Sequence, residues 1–300
     1  MKFQLKYIVV ILLLLILFFA YKMHHNWQKS SELKKQAQAL HVDFDQSMQG
    51  LTYASVFTRE PICGHIYVYL RDLYKKNNLS VITPLASPKI PKIIHQIWLG
   101  SPLPDRFKVY QQSWITHHPD WEYKLWTDAN VKDLILDNQD LYEASTNYGE
   151  KSDILRYELL YRYGGVYVDI DYECLKPLDI LHYSYDLYTG IQPMDTGLVQ
   201  LGLGLIGAIP GHPMLKKCIV DLRESTEREI VARTGPIYFT KIFWHFDDGD
   251  VTQNVALPSS YLYPKGYNQK DKPAQVWQKP ESFAVHHWAG SWIPSKTKNV

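Results

Sequence analysis

Apolar and polar positions divide the chain first at its N-terminus. Tyr7 to Tyr21 is an uncharged run of 15 residues, with Lys2 and Lys6 before it and Lys22 after it. A spanning helix wants about 20 apolar residues. Phe3, Leu5 and snorkelling of the flanking lysines bring the run into that range. It ends in FFAYKMHHNW, without the small residues of a signal-peptide cleavage site, so residues 1–23 are expected to stay as a signal-anchor helix. Lysines lie on both sides of the run, and the positive-inside rule sets no orientation. The expected location is a membrane, as a Golgi type II protein in a eukaryote or virus, or in the inner membrane of a bacterium.

Residues 24–88 carry two helix-like patterns, WQKSSELKKQAQAL and HIYVYLRDLYKK, and read as a helical stem. The break Thr83-Pro84-Leu85-Ala86-Ser87-Pro88 places the start of the main domain, residues 89–300. From there apolar strands and amphipathic helices alternate. Ile93–Leu99 reads as a central strand, covered on both faces. Phe107–His117 reads as a helix, Glu122–Thr127 as a strand, and Val131–Leu136 as a helix capped by Asp128. Ser152–Tyr163 reads as a helix that Ser152 caps and Gly164-Gly165 ends. Val166–Asp171, Leu187–Ile191 and Leu201–Ile209 follow as strands, and Pro213 opens a helix over Met214–Arg223. The alternation predicts an α/β domain with a mainly parallel sheet.

Composition narrows the function. The chain has 300 residues, 46% hydrophobic and 21% charged, with a net charge of +1, so no nucleic-acid partner is expected. The 22 Tyr and 9 Trp suit stacking on sugars and bases, and equally suit core packing. Cys63, Cys174 and Cys218 show no metal-site spacing and leave room for one disulfide.

The chemistry centres on Val166-Tyr167-Val168-Asp169-Ile170-Asp171. On a strand the two aspartates would share a face, with Cα atoms roughly 7 Å apart. They would stand at the carboxyl end of the strand, where open α/β sheets bind ligands. A hard divalent cation would relieve their repulsion and bring diphosphate oxygens to them. Alone, such a DxD reads equally as a solvated strand end. Upstream, Asp153 and Arg156 stand i,i+3 on one helix face, which also fits a capping acid with a local ion pair. Trp98 ends the first strand and reads as a base-stacking or a core residue. His286-His287-Trp288-Ala289-Gly290-Ser291-Trp292 offers a histidine to a metal or phosphate, though single histidines are often structural. A phosphohydrolase would want Thr or Val after DxDx, where this chain has Tyr172-Glu173.

The order IPKIIHQIWLG, SW…HHPDWEYKLWTD, KSDILRYELLYRYGGVYVDIDYECLKPLD, PGHP, TGP and HHWAGSW resembles the DxD-containing glycosyltransferase family. That family includes the Och1-like mannosyltransferases, inositol-phosphoceramide mannosyltransferases and α1,4-galactosyltransferases. It is similar, more distantly, to the large glucosylating toxins. The resemblance covers residues 89–294 and is most specific in the SDxLR…GGxYxDxD block. It implies a GT-A fold, a nucleotide-sugar donor (UDP- or GDP-sugar), Mn²⁺ or Mg²⁺, and retention of anomeric configuration. The acceptor would be a glycan, a lipid or a protein. By position, Trp98 would stack on the base, and Asp153, Arg156 and Tyr157 would belong to the donor site. Asp169 would contact ribose and the metal's shell, and Asp171 would ligate the metal. His287 would join the metal, while Ser291 and Trp292 would close over the diphosphate. The chain departs from the bacterial GNGxIGAxPGHP pattern at Leu203, which stands in the Asn place. A catalytically impaired relative, acting as a glycan-binding or scaffold protein, is the alternative.

Overall fold

The computed structural model describes residues 2–49 and 52–291, with the side chains of all of these except 2–6 and 8–10. Six strands form the central sheet: β1 Ile93–Ile97, β2 Glu122–Trp126, β3 Gly165–Val168, β5 Leu187–Ile191, β6 Leu201–Ala208 and β7 Asn254–Leu257. Their order is β2-β1-β3-β6-β5-β7, and β6 alone runs against the other five. Two short strands, β4 Tyr172–Cys174 and β8 Ala284–His286, make a separate antiparallel ladder. The α/β class and the mainly parallel sheet expected from the alternation are what the chain adopts.

The sheet is apolar because both of its faces are covered. Every residue of β3, β5, β6 and β7 is buried, so these strands read as continuous apolar runs. The helix Tyr148–Tyr163 leads into β3 through Gly164 and Gly165, whose φ angles are 62° and 94°. Both lie in the left-handed region that favours glycine. A Cβ on Gly165 would stand 2.5 Å from the Ile93 carbonyl oxygen, so the doublet also lets β3 approach β1.

Three local expectations are corrected. The helix begins at Tyr148, not Ser152, because Asn147 caps it by accepting from the Gly149 and Glu150 N–H groups. Thr127, not Asp128, caps a short helix over Asp128–Val131, and Asp128 instead accepts the Gly100 N–H at 2.7 Å. Strand β3 ends at Val168, so Asp169 and Asp171 lie in the turn that links it to β4.

The residues before β1 are largely helical and pack on the same core. Phe44, Met48, Ile66, Leu70 and Tyr74 are buried in the cluster that contains the sheet. The Asn77 side chain donates to the Asn254 carbonyl at 2.8 Å, and Tyr185 donates to the Asn77 carbonyl at 2.8 Å. The long helix Lys2–Ala39 docks through its C-terminal part, where Lys29 reaches the Tyr183 hydroxyl and Ser30 donates to the Pro84 carbonyl. Among the described residues no helix is long and apolar enough to cross a membrane. The side chains of residues 8–10, part of the apolar run, lie outside them. All three cysteines are buried free thiols.

Gly165→Ala is expected to destabilise the protein by about 1–3 kcal/mol, through forced backbone strain and contact with Ile93. Thermal unfolding checks this; an unchanged Tm would show that β1 and β3 can move apart at no cost.

Candidate active site

The turn after β3 carries the acidic pair. Tyr167 donates its hydroxyl to Asp169 Oδ1 at 2.6 Å, and the Asp169 N–H donates to the Gly204 carbonyl at 2.8 Å. Gly204 is small for a reason: a Cβ there would stand 2.8 Å from Asp169 Oδ2. Asp171 is held from the far end of the chain. Its Oδ2 accepts the Ala289 N–H at 2.7 Å and its Oδ1 meets His286 Nε2 at 3.2 Å. Burial alone would raise the Asp171 carboxyl; His286 and the Ala289 N–H outweigh it and hold the group down to about 2.

This is where the β4–β8 ladder matters. Its register sets Tyr172 opposite His286, and so brings the imidazole to the turn. Asp169, Asp171 and His286 each offer one ligand atom, and the three atoms lie within 4.8 Å of one another. His286 Nδ1 is buried without a hydrogen-bond partner. Two carboxylates and one imidazole grouped in this way fit a divalent cation.

His287, expected at the metal, is not in this group. Its Nδ1 lies 2.9 Å from Lys265 Nζ, its Nε2 lies 2.9 Å from Glu173 Oε2, and its ring stacks on Tyr110 at 4.3 Å. The neighbouring His286 is the one grouped with the two aspartates. The sequence marks both histidines, and only the register of β8 separates them.

Behind Asp169 sits Arg156, with 6% of its side chain exposed. Its Nη2 pairs with Asp153 at 3.0 Å, and its Nη1 donates to the Leu203 carbonyl at 2.7 Å and reaches Asp169 at 3.5 Å. Its Nε donates to the Ser152 carbonyl at 3.2 Å, and the guanidinium lies 4.3 Å over the Tyr167 ring. The second oxygen of Asp153 accepts from the Thr234 hydroxyl at 2.9 Å. Burial outweighs Arg156 and pushes the Asp153 carboxyl up to about 6. Leu203 is buried, and its contact with Arg156 runs through its backbone oxygen, so the missing Asn takes nothing from this bond.

The other expected donor contacts divide. Trp98 is half-buried just beyond β1, with its indole N–H near the Ser101 hydroxyl and Pro102 carbonyl, both at 3.2 Å. Tyr157 is fully buried, donates to the Thr234 carbonyl at 2.8 Å and stacks on Phe239, so it belongs to the core and not to a donor surface. Ser291 is exposed in a turn, and Trp292 lies outside the described residues.

Residues 104–187 match the model of the "Glycosyltransferase sugar-binding region containing DXD motif". The chain is 34% identical over 272 residues to inositol phosphoceramide mannosyltransferase 1 of Schizosaccharomyces pombe, covering 79% of this chain and 80% of that one. It is 32% identical over 209 residues to inositol phosphoceramide mannosyltransferase 2 of the same yeast, covering 62% of this chain but only 59% of that relative's length. Among solved structures, a "PaToxG Glycosyltransferase" aligns with a TM-score of 0.47 at 19% identity, covering 62% of this chain and 79% of that chain.

Arg156→Lys keeps the charge and loses the planar fork that serves four oxygens. It is expected to cost about 1–3 kcal/mol of stability through the unsatisfied buried acceptors. Denaturant unfolding measures the loss, and wild-type stability would mean that simple charge is enough.

Proposed function

The chain belongs to the glycosyltransferase family that carries the DXD motif, and from that premise we propose retaining transfer of a hexose from a nucleotide-sugar donor, with a divalent ion at Asp169, Asp171 and His286. The observation that carries this reading is the convergence of those three side chains at the end of β3. Asp169, Asp171 and His286 would hold such an ion, which would supply positive charge to a leaving diphosphate. The chain's own residues hold the acidic pair ready: Tyr167 and Arg156 orient Asp169, and His286 and the Ala289 N–H orient Asp171. Asp153 and Arg156 are first of all positioning residues, because their polar atoms are engaged with protein groups. A direct contact with the donor would have to displace one of these partners. Trp98 remains the residue for the base, since it is half-buried at the rim beyond β1.

The names of the relatives favour mannose as the transferred sugar and an inositol-bearing ceramide as acceptor. A lipid acceptor suits an N-terminal helix lying in the bilayer. Ile11 to Phe19 is exposed on every side of its helix, as expected of a surface that lipid covers. Full-length protein is expected to sediment with membranes, and protein lacking residues 1–26 to remain in the supernatant; sedimentation of both would place the membrane contact elsewhere.

Asp171→Asn is expected to lower metal-dependent nucleotide release more than about 100-fold, beyond the effect of an outer-shell change. His286→Gln should weaken metal affinity more than His287→Gln, as read by Mn²⁺ titration. Full activity in EDTA, or a larger loss in the His287 variant, would overturn this assignment.

A further inference from the structure

A cavity of 320 Å³ lies beside the metal cluster, between the segment after the first long helix and the C-terminal part of the domain. None of Asp169, Asp171 and His286 lines it. Tyr263 forms part of its wall, and the Tyr263 hydroxyl accepts from the Gly204 N–H at 3.2 Å, so one ring stands between the cavity and the metal cluster.

Its lining combines two kinds of surface. Tyr53, half-buried, and Trp277 offer aromatic faces, and the Trp277 ring is fixed by its N–H bond to the Lys272 carbonyl at 3.1 Å. Asp195 and Glu281 offer carboxylates. Asp195 is locked by the Tyr267 and Asn268 N–H groups at 3.2 and 2.9 Å. Glu281 is different. It is 8% exposed, yet among the described residues its carboxylate accepts no hydrogen bond and enters no ion pair, even though Lys279 lines the same cavity. The Glu281 oxygens reach the open space of the cavity, so a ligand that enters can donate to them.

We propose that this cavity is a second carbohydrate site, which takes one neutral polyhydroxylated ring, a hexose or a cyclitol. Vicinal hydroxyls would donate to Glu281 in the bidentate manner that a carboxylate accepts. The apolar C–H face of the ring would lie against Tyr53 or Trp277. The volume stands at the small end of ligand sites, about 300–1,000 Å³, which suits a single ring. Two carboxylates against one lysine disfavour a phosphorylated or acidic ring. The site shares the Tyr263 wall with the metal cluster but none of its three candidate ligands.

The test is direct binding to the full-length protein in detergent, by saturation-transfer NMR and calorimetry. The ligands are methyl hexopyranosides in one arm and myo-inositol in the other, with inositol phosphate as the charged control. Wild type and Asp171→Asn are expected to bind a neutral ring alike, which separates this site from the donor reading. Glu281→Gln, which keeps the shape of the side chain, and Tyr53→Ala are each expected to weaken binding at least tenfold. Thermal unfolding confirms that both variants are folded. The arm that binds says whether the ring is a hexose or a cyclitol. No saturable binding in either arm, tighter binding of inositol phosphate, or affinity unchanged in both folded variants would overturn the proposal.

Discussion

A buried guanidinium is tolerated only where its donors meet acceptors of matching geometry, and Arg156 is the group around which this molecule is arranged. Its partners come from the helix Tyr148–Tyr163, from the turn after β3 and from β6. Each of these elements must therefore stand in one place for the charge to be satisfied. The reversed strand β6 presents the Leu203 carbonyl, the helix presents Asp153 and the Ser152 carbonyl, and the turn presents Asp169. Stability and the placement of Asp169 are thus the same set of bonds.

The glycines of β6 belong to this arrangement. Leu201-Gly202-Leu203-Gly204-Leu205 alternates leucine with glycine, and Gly207 follows after Ile206. Gly202 leaves room for Tyr263, Gly204 for Tyr172 and Asp169, and Gly207 for Tyr188. Large aromatic rings can therefore pack close against a fully buried strand, which accounts for part of the high tyrosine content. The tyrosines serve packing as much as recognition. Tyr157 shows this plainly: its neighbours in the motif suggest a ligand contact, but its hydroxyl is used by a backbone carbonyl inside the core.

Period and punctuation made the sheet legible before the structure. The strands at Ile93, Glu122, Leu187 and Leu201 begin where the apolar pattern begins, and the Gly164-Gly165 stop falls between helix and strand. The misread points share one physical cause, which is that a local signal has several equivalent bearers. Ser152 and Asn147 both can cap, and the tertiary position of the helix start chose Asn147. Asp128 and Thr127 both can cap, and Asp128 was drawn away to Gly100. The alternation through Asp171 suggested a longer strand, but β3 gives way to the turn after Val168. His286 and His287 are adjacent and chemically identical. The pairing that distinguishes them joins residues 172 and 286, a separation no local pattern reports.

That pairing also has a temporal consequence. A contact 115 residues apart in sequence is closed late, because the chain between its ends must be ordered first. A chain leaving the ribosome N-terminus first can complete all six strands of the main sheet before β8 emerges. Until then Asp169 and Asp171 face each other without the imidazole and without the Ala289 N–H. The main sheet can thus be complete while the acidic turn still lacks the two groups that hold Asp171.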